Sequence, residues 1–256
     1  MITDRNLHPF FLHSRFPSPV PIAHRGYSAK FPENTMPAFE AAVGLGFEYI
    51  ETDIHATADG FLAACHDKSL ARTVGEDQRI GDLSRAELSR IRLAGGERIP
   101  LLADLLDAFP ETRINIDPKH DAAVEPLLSL LRERRLWERV CVGSFSSRRL
   151  RYLRRAAGDR LCTSAGPREI IRLSLTARGL PVGRLQADCV QVPPYRYRMR
   201  VVDAALVSAA HKQGLPVHVW TVNRQQDMRD LLDLGVDGIM TDEAAMAMDL
   251  FKKHYW

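Results

Sequence analysis

Residues 48–67 read EYIETDIHATADGFLAACHD, and the fold follows from how that stretch alternates and turns. In an extended run, side chains two apart share a side, so Glu51 and Asp53 stack one above the other. Asp59-Gly60 then separates the run from a second one, 61–65 (FLAAC). Asp-Gly between two extended runs is a hairpin signal, so 57–67 reads as a strand overshooting the edge of its sheet and returning. Outward from this hairpin, further strand patterns stand at 20–24, 113–117, 140–144, 161–163, 188–192, 216–222 and 237–241. Helical patterns separate them at 34–45, 100–109, 123–137, 147–157, 167–178, 201–213, 224–234 and 243–253. Eight strands, each followed by a helix, is the rhythm of an α/β (β/α)8 TIM barrel. Runs such as VCVGS and PVHVWTV are nearly all apolar, as parallel strands covered on both faces require. The competing open, doubly wound sheet lacks a G-x-G-x-x-G after any strand.

The chain has 256 residues, and a barrel of this kind fills about 250, so 1–256 reads as one domain with residues 68–99 inserted after the second strand. Residues 1–18 read as an irregular lead-in whose Phe10, Phe11 and Leu12 can plug one end of the core. With 45% hydrophobic and 26% charged residues, disorder and fibrous folds are excluded. No apolar run approaches the ~18 residues of a membrane span, so no stable membrane insertion is expected and the cytoplasm is the expected compartment. Cys65, Cys141, Cys162 and Cys189 are far apart in sequence and read as reduced core thiols.

Net charge is +3, but 17 arginines and 5 acids between Arg132 and Arg200 make that stretch +12 and leave the remainder at −9. The expected reading is arginines along the solvent faces of outer helices, with a weak contact to an anionic surface as the functional alternative. Stacking aromatics are not interleaved as single-strand binding would want, so no nucleic-acid partner is expected.

The chemistry concentrates at strand ends. Glu51 and Asp53 facing a barrel interior repel each other unless a cation lies between them, and a hard divalent metal is the economical answer. Asp117 ends the 113–117 run with Lys119 two residues on, which adds a third oxygen ligand and a cation for an anionic substrate. Alone, E-x-D occurs often on surfaces and Asp-Pro often opens a turn; the positions on consecutive strands favour the functional reading. His24 ends the first strand, followed by Arg25-Gly26, and His66 ends the returning hairpin arm, followed by Asp67 as an orienting partner. Two imidazoles, a metal and a fixed arginine are the groups phosphodiester cleavage needs. His8, His13, His211 and His254 read as surface or loop residues and His55 as structural, while His120 and His218 stay open. Phosphate-loop, H-E-x-x-H and G-x-S-x-G motifs are absent from the sequence.

Taken together, Ile22-Ala23-His24-Arg25-Gly26, Pro32-Glu33-Asn34-Thr35, Glu51-Thr52-Asp53, Asp59-Gly60, His66-Asp67, Ser144-Phe145, Trp220-Thr221-Val222-Asn223 and Gly235 through Asp242 resemble, in order and spacing, the glycerophosphodiester phosphodiesterase family. The resemblance implies hydrolysis of a small-molecule glycerophosphodiester to glycerol 3-phosphate and an alcohol. It implies His24 and His66 as the acid-base pair, and Glu51, Asp53 and Asp117 as ligands of one divalent cation, Mg2+ or Ca2+. Arg25 and Lys119 would hold the phosphate, with Trp220 as a pocket wall. Direct attack by water and prior attack by the glycerol 2-hydroxyl use the same two histidines. Where the family often has Glu-x-Lys, this sequence has Asp117-Pro118-Lys119, one methylene shorter, so that either the backbone moves inward, a water bridges, or the site prefers the shorter reach of Mg2+ over Ca2+. Rival readings are the same barrel acting on lysophospholipids or a phosphoinositide, and a non-catalytic barrel binding a polyanion. The discriminator for a lipid enzyme is an apolar mouth, and 68–99 is mostly polar.

Overall fold

A computed structural model describes residues 7–12, 14, 18–93, 95–180 and 182–256. The eight strand patterns form β1 (Val20–His24), β2 (Tyr49–Ala56), β4 (Arg113–Pro118), β5 (Val140–Val142), β6 (Cys162–Thr163), β7 (Val190–Val192), β10 (Val217–Val219) and β11 (Gly238–Thr241). They pair in parallel in the order β6-β5-β4-β2-β1-β11-β10-β7. Backbone bonds from Asp188 N–H to Thr163 O and from Ala165 N–H to Cys189 O, both 2.8 Å, close the gap between β6 and β7. The result is the expected α/β TIM-barrel-like fold. β3 (Leu62–Ala64) returns antiparallel on β2, with Ala56 opposite Leu62, as the Asp59-Gly60 turn requires.

Period two sorts the strand residues into two cores. Ile50, Ile114, Ile116, Val140, Val142, Val190, Val217 and Ile239 face the outer helices in one large apolar cluster. The alternate positions Ile22, Tyr49, Cys141, Cys162, Cys189 and Met240 fill the barrel interior. That phase decides the site: after Val20 and Ile22 the next inward residue on β1 is His24, and after Tyr49 on β2 come Glu51 and Asp53. Across the barrel, Gln191 Nε2 donates to Asn115 Oδ1 at 2.9 Å, forming a polar layer.

The lead-in is helical at α1 (Pro9–Leu12), and Phe10, 2% exposed, packs its ring 5.5 Å from Tyr49. Phe10 and the half-buried Phe11 join the interior cluster, so the plug forms, although residues 1–6, 13 and 15–17 of the lead-in, His13 among them, lie outside the described residues. His8 corrects its surface reading. It is buried, accepting from Phe10 N–H at Nδ1 and bonding Arg160 O through Nε2, which holds the plug in place. Cys141, Cys162 and Cys189 stand one strand-helix unit apart in sequence, so barrel closure brings them within 4.8 Å of one another. All four cysteines are free and buried.

The insertion packs with the returning hairpin arm in a small core of Ala63, Cys65, Leu70, Ile80, Leu88, Ile99 and Leu101. It carries α3 (Ala71–Val74) and α4 (Arg85–Leu88), the latter started by a Ser84–Glu87 capping box. Among the described residues no helix is long and apolar enough to cross a membrane.

The turn after β1 is built around glycine. Arg25 and Gly26 have φ of 56° and 80°, and a Cβ on Gly26 would lie 2.6 Å from the carbonyl carbon of Ala38 in α2 (Met36–Leu45). Gly26→Ala therefore combines left-handed strain with a backbone clash, an expected destabilisation of about 2 kcal/mol or more. Thermal unfolding should show Tm lowered by several degrees; an unchanged Tm would mean that the turn and α2 separate without cost.

Candidate active site

The inward residues at the C-terminal ends of β1, β2 and β4 meet in one cleft of about 290 Å³. All eight residues that the sequence singled out line it: His24, Arg25, Glu51, Asp53, His66, Asp117, Lys119 and Trp220.

His24 Nδ1–H donates to Asp242 Oδ1 at 2.7 Å, which leaves Nε2 facing the cleft, 3.8 Å from Glu51 Oε2. Asp242 also accepts from Ser28 Oγ at 2.7 Å and Asn223 Nδ2 at 2.6 Å. Burial alone would raise the Asp242 carboxyl, but these donors hold it down at about 2, so it is the ionised acceptor that fixes the His24 tautomer. For His24, burial works downward, yet the Glu51 charge and the Asp242 bond outweigh it and raise the imidazole. A proton on Glu51 would remove one of those two causes and leave the Asp242 bond.

Glu51 and Asp53 are buried side by side on β2, and the β2–β4 register sets Asp53 opposite Asp117 and Glu51 opposite Asn115. Lys119 Nζ bridges Asp53 Oδ1 at 2.6 Å and Asp117 Oδ2 at 2.8 Å. Arg25 Nε pairs with Asp53 Oδ2 at 2.9 Å, off the N–H axis, so this is an ion pair without a hydrogen bond. Asn34 Nδ2 adds a donor to Asp53 at 3.3 Å, and Asn34 Oδ1 accepts from Thr52 Oγ1 at 2.8 Å. Burial pushes Glu51 well above the usual carboxylate range, and the Asp53 charge adds to it. Burial also raises Asp117. Asp53 goes the other way, because Lys119 and Arg25 outweigh its burial.

A divalent cation suits these residues chemically. The donors are all hard oxygens, Asp117 Oδ1 is buried without a partner, and Glu51 is pushed up by its burial and by the Asp53 charge, a cost that a cation would relieve. The three acids share the rim without closing tightly: among the described residues, the trio of metal-type ligand atoms within 4.8 Å of one another is the cysteine set. Lys119 occupies the space between Asp53 and Asp117.

His66 is held from the insertion side. Its Nδ1–H donates to Asp67 Oδ1 at 2.6 Å, and Asp67 Oδ2 accepts from Arg72 Nε at 2.5 Å. Arg72 forks onto Glu33 at 2.6 and 3.1 Å, and Glu33 accepts from Arg25 Nη1 at 3.1 Å. His55 keeps its structural reading, donating from Nε2 to the His66 carbonyl at 3.1 Å.

A match to the model of the glycerophosphoryl diester phosphodiesterase family runs over residues 24–246, nearly the whole chain. The chain belongs to this family. A Mycobacterium tuberculosis protein named probable glycerophosphodiester phosphodiesterase 2 is 40% identical over 240 residues, with 90% of each chain covered. The Rattus norvegicus lysophospholipase D GDPD1 is 27% identical, with 86% of this chain and 82% of that one covered. The solved structure of an Oleispira antarctica phosphodiesterase in complex with the product sn-glycerol-3-phosphate superposes with a TM-score of 0.76 at 21% identity, covering 92% and 97% of the chains. Here Asp242 orients His24, while Arg72 and Glu33 extend the network behind His66. Asp242, Glu33 and Arg72 were not assigned such roles from the sequence, although β11 pairs with β1 and so delivers residue 242 beside residue 24.

The apolar mouth also lies where the sequence did not point. The insertion side is polar, but Phe145, Ile170, Ile171, Val201 and Trp220 line the opposite wall, with the Phe145 and Trp220 rings 5.6 Å apart and edge to face. Trp220 is thus a wall residue that also packs on the interior core.

Proposed function

We propose that this protein hydrolyses glycerophosphodiesters to glycerol 3-phosphate and an alcohol, with His24 and His66 as its acid-base pair. The observation that carries the reading is a pair of carboxylate-backed imidazoles, each with Nδ1 tied and Nε2 free, lining one cleft with buried acids and cations. One imidazole withdraws the proton from the attacking hydroxyl, and the other delivers a proton to the departing alkoxide. Arg25 and Lys119 orient the phosphoryl oxygens and offset their charge. Glu51, Asp53 and Asp117 would hold one Mg2+ or Ca2+. When bound, that ion supplies charge neutralisation and lowers the pKa of a hydroxyl or water. The apolar wall favours a second reading within the same chemistry, an acylated substrate such as a lysophospholipid, cleaved to an acylglycerol 3-phosphate and the headgroup alcohol.

A test is release of glycerol 3-phosphate from glycerophosphocholine, glycerophosphoethanolamine and glycerophosphoglycerol, and of acylglycerol 3-phosphate from a lysophosphatidylcholine. Release from the soluble diesters is expected, and a silent panel would refute the assignment. Faster release of a phosphorylated product from the lysolipid arm would favour the second reading.

Asp242 acts on substrate only through His24, as a positioning residue. Asp242→Asn removes the charge and the fixed tautomer, so kcat should fall about 10- to 100-fold, the scale for losing a carboxylate that orients a functional imidazole. Because that charge helps to raise His24, the limb of the pH–rate profile owned by His24 should move to lower pH. Movement of the acid limb makes His24 the base; movement of the alkaline limb makes it the acid. A profile displaced in neither limb would remove Asp242 from the role.

A further inference from the structure

Beside the apolar wall, a two-stranded hairpin rises from the rim: β8 (Tyr195–Arg196) and β9 (Met199–Arg200), paired antiparallel with Arg196 opposite Met199. Its sequence, Tyr195-Arg196-Tyr197-Arg198-Met199-Arg200, alternates a large apolar or aromatic side chain with arginine at every step. Such alternation ordinarily buries one face of a strand. Here neither face is covered: Tyr195, Tyr197 and Met199 are 59%, 85% and 67% exposed. The tip is Tyr197-Arg198, with φ of 47° and 67°. A two-residue turn with both φ positive ordinarily takes Asn or Gly, and a larger side chain there is strained. Burial does not offset that strain, since the tyrosine at the tip is 85% exposed.

Charge adds to this. Some arginines of the outer helices are neutralised, Arg149 by Asp121 at 3.0 Å and Arg154 by Glu169 at 2.9 Å. Among the described residues, Arg196, Arg198 and Arg200 have no carboxylate partner; the Arg196 guanidinium lies over the Tyr197 ring at 5.5 Å, and Arg200 Nε donates to Val202 O. Arg196 also lines the cleft, and the exposed Phe145 and Ile171 continue the apolar surface from the hairpin to its mouth. A folded partner seated on this patch would cover the cleft. A bilayer presents headgroups to the cleft while accepting tyrosine and methionine at its interface, with arginine heads among anionic phosphates. Outside residues 132–200 the chain carries −9, so attraction to an anionic surface is concentrated in the segment that holds the hairpin.

We propose that the 195–200 hairpin, with Phe145 and Ile171, docks the protein reversibly on an anionic lipid bilayer with the cleft mouth facing the headgroups. The choice of lipid over another polyanion rests on the glycerophosphodiester reading of the cleft.

Co-sedimentation with phosphatidylcholine vesicles, with and without phosphatidylglycerol, tests it at low and high salt, beside turnover of glycerophosphocholine as a soluble control. The wild-type protein should pellet with the phosphatidylglycerol vesicles at low salt and stay in solution with phosphatidylcholine alone. Arg198→Ser, and separately Tyr197→Ser with Met199→Ser, should each weaken pelleting about 5-fold or more, since each basic or interfacial anchor contributes about 1 kcal/mol. Soluble turnover in these variants should match wild type, because none of the three residues lines the cleft. Wild-type protein that stays in solution with anionic vesicles would overturn the proposal, as would variants that pellet equally well or heparin retention without vesicle binding. Vesicle binding without release of glycerol 3-phosphate would instead sink the activity reading and leave the docking surface standing.

Discussion

His24→Ala and His66→Ala should each lower kcat for glycerophosphocholine by at least ~10²-fold, the lower end for a positioned acid or base. The two side chains reach the cleft by unrelated routes, one from a barrel strand and one from the arm of the overshooting hairpin. Each is nevertheless built alike. A carboxylate, Asp242 or Asp67, takes the Nδ1 proton and turns Nε2 inward, and each carboxylate is itself held by other donors: Ser28 and Asn223 on one side, Arg72 on the other. Neither imidazole is needed by the core, so alanine should remove chemistry and leave Tm nearly unchanged. If acid and base act in one transition state, the double variant should lose little beyond the worse single variant. Near-wild-type kcat in both purified single variants would remove the histidines from these roles.

Chelation should have an effect of at least the same size. Treatment with EDTA is expected to lower turnover by ~10²-fold or more, since a cation at a phosphoryl group contributes several kcal/mol, and added Mg2+ should restore it. Glu51→Gln should do the same without chelator and resist rescue. Burial and the Asp53 charge push Glu51 above the usual carboxylate range, a cost that a cation would relieve, and Asp117 Oδ1 is buried without a partner. The short Asp117 side chain favours restoration by Mg2+ over Ca2+. Activity indifferent to EDTA would mean that Lys119 and Arg25, already paired with Asp53, supply the positive charge by themselves.

The barrel was legible because period-two alternation is a local property. The same alternation that put Ile22 in the interior put His24 at its mouth, and Asp59-Gly60 marked the hairpin that brings His66 back. What escaped notice depends on closure. Asp242 meets His24 only because the last strand pairs with the first, and the three interior thiols meet only because β5, β6 and β7 curve together. His8 looked like a loop residue because nothing local says that a four-residue helix is seated under the barrel. The apolar wall was missed for a similar reason. Phe145, Ile171 and Trp220 are spread over three strand-helix units, and only the rim assembles them, while the insertion drew attention as the contiguous segment. The 195–200 hairpin was hidden by its arginines, which read together with the helix arginines as a solvated face.

The central claim is that acids on β2 and β4 share a cation between His24 and His66. Anomalous diffraction from crystals grown with Mn2+ and glycerol 3-phosphate tests it most directly. The account predicts a single strong peak at about 2.0–2.6 Å from carboxylate oxygens of Glu51, Asp53 and Asp117, with Lys119 displaced from Asp53 towards the phosphate and both Nε2 atoms facing it. A rim without a peak, with Lys119 still bridging Asp53 and Asp117, or a peak only at the interior cysteines, would contradict it.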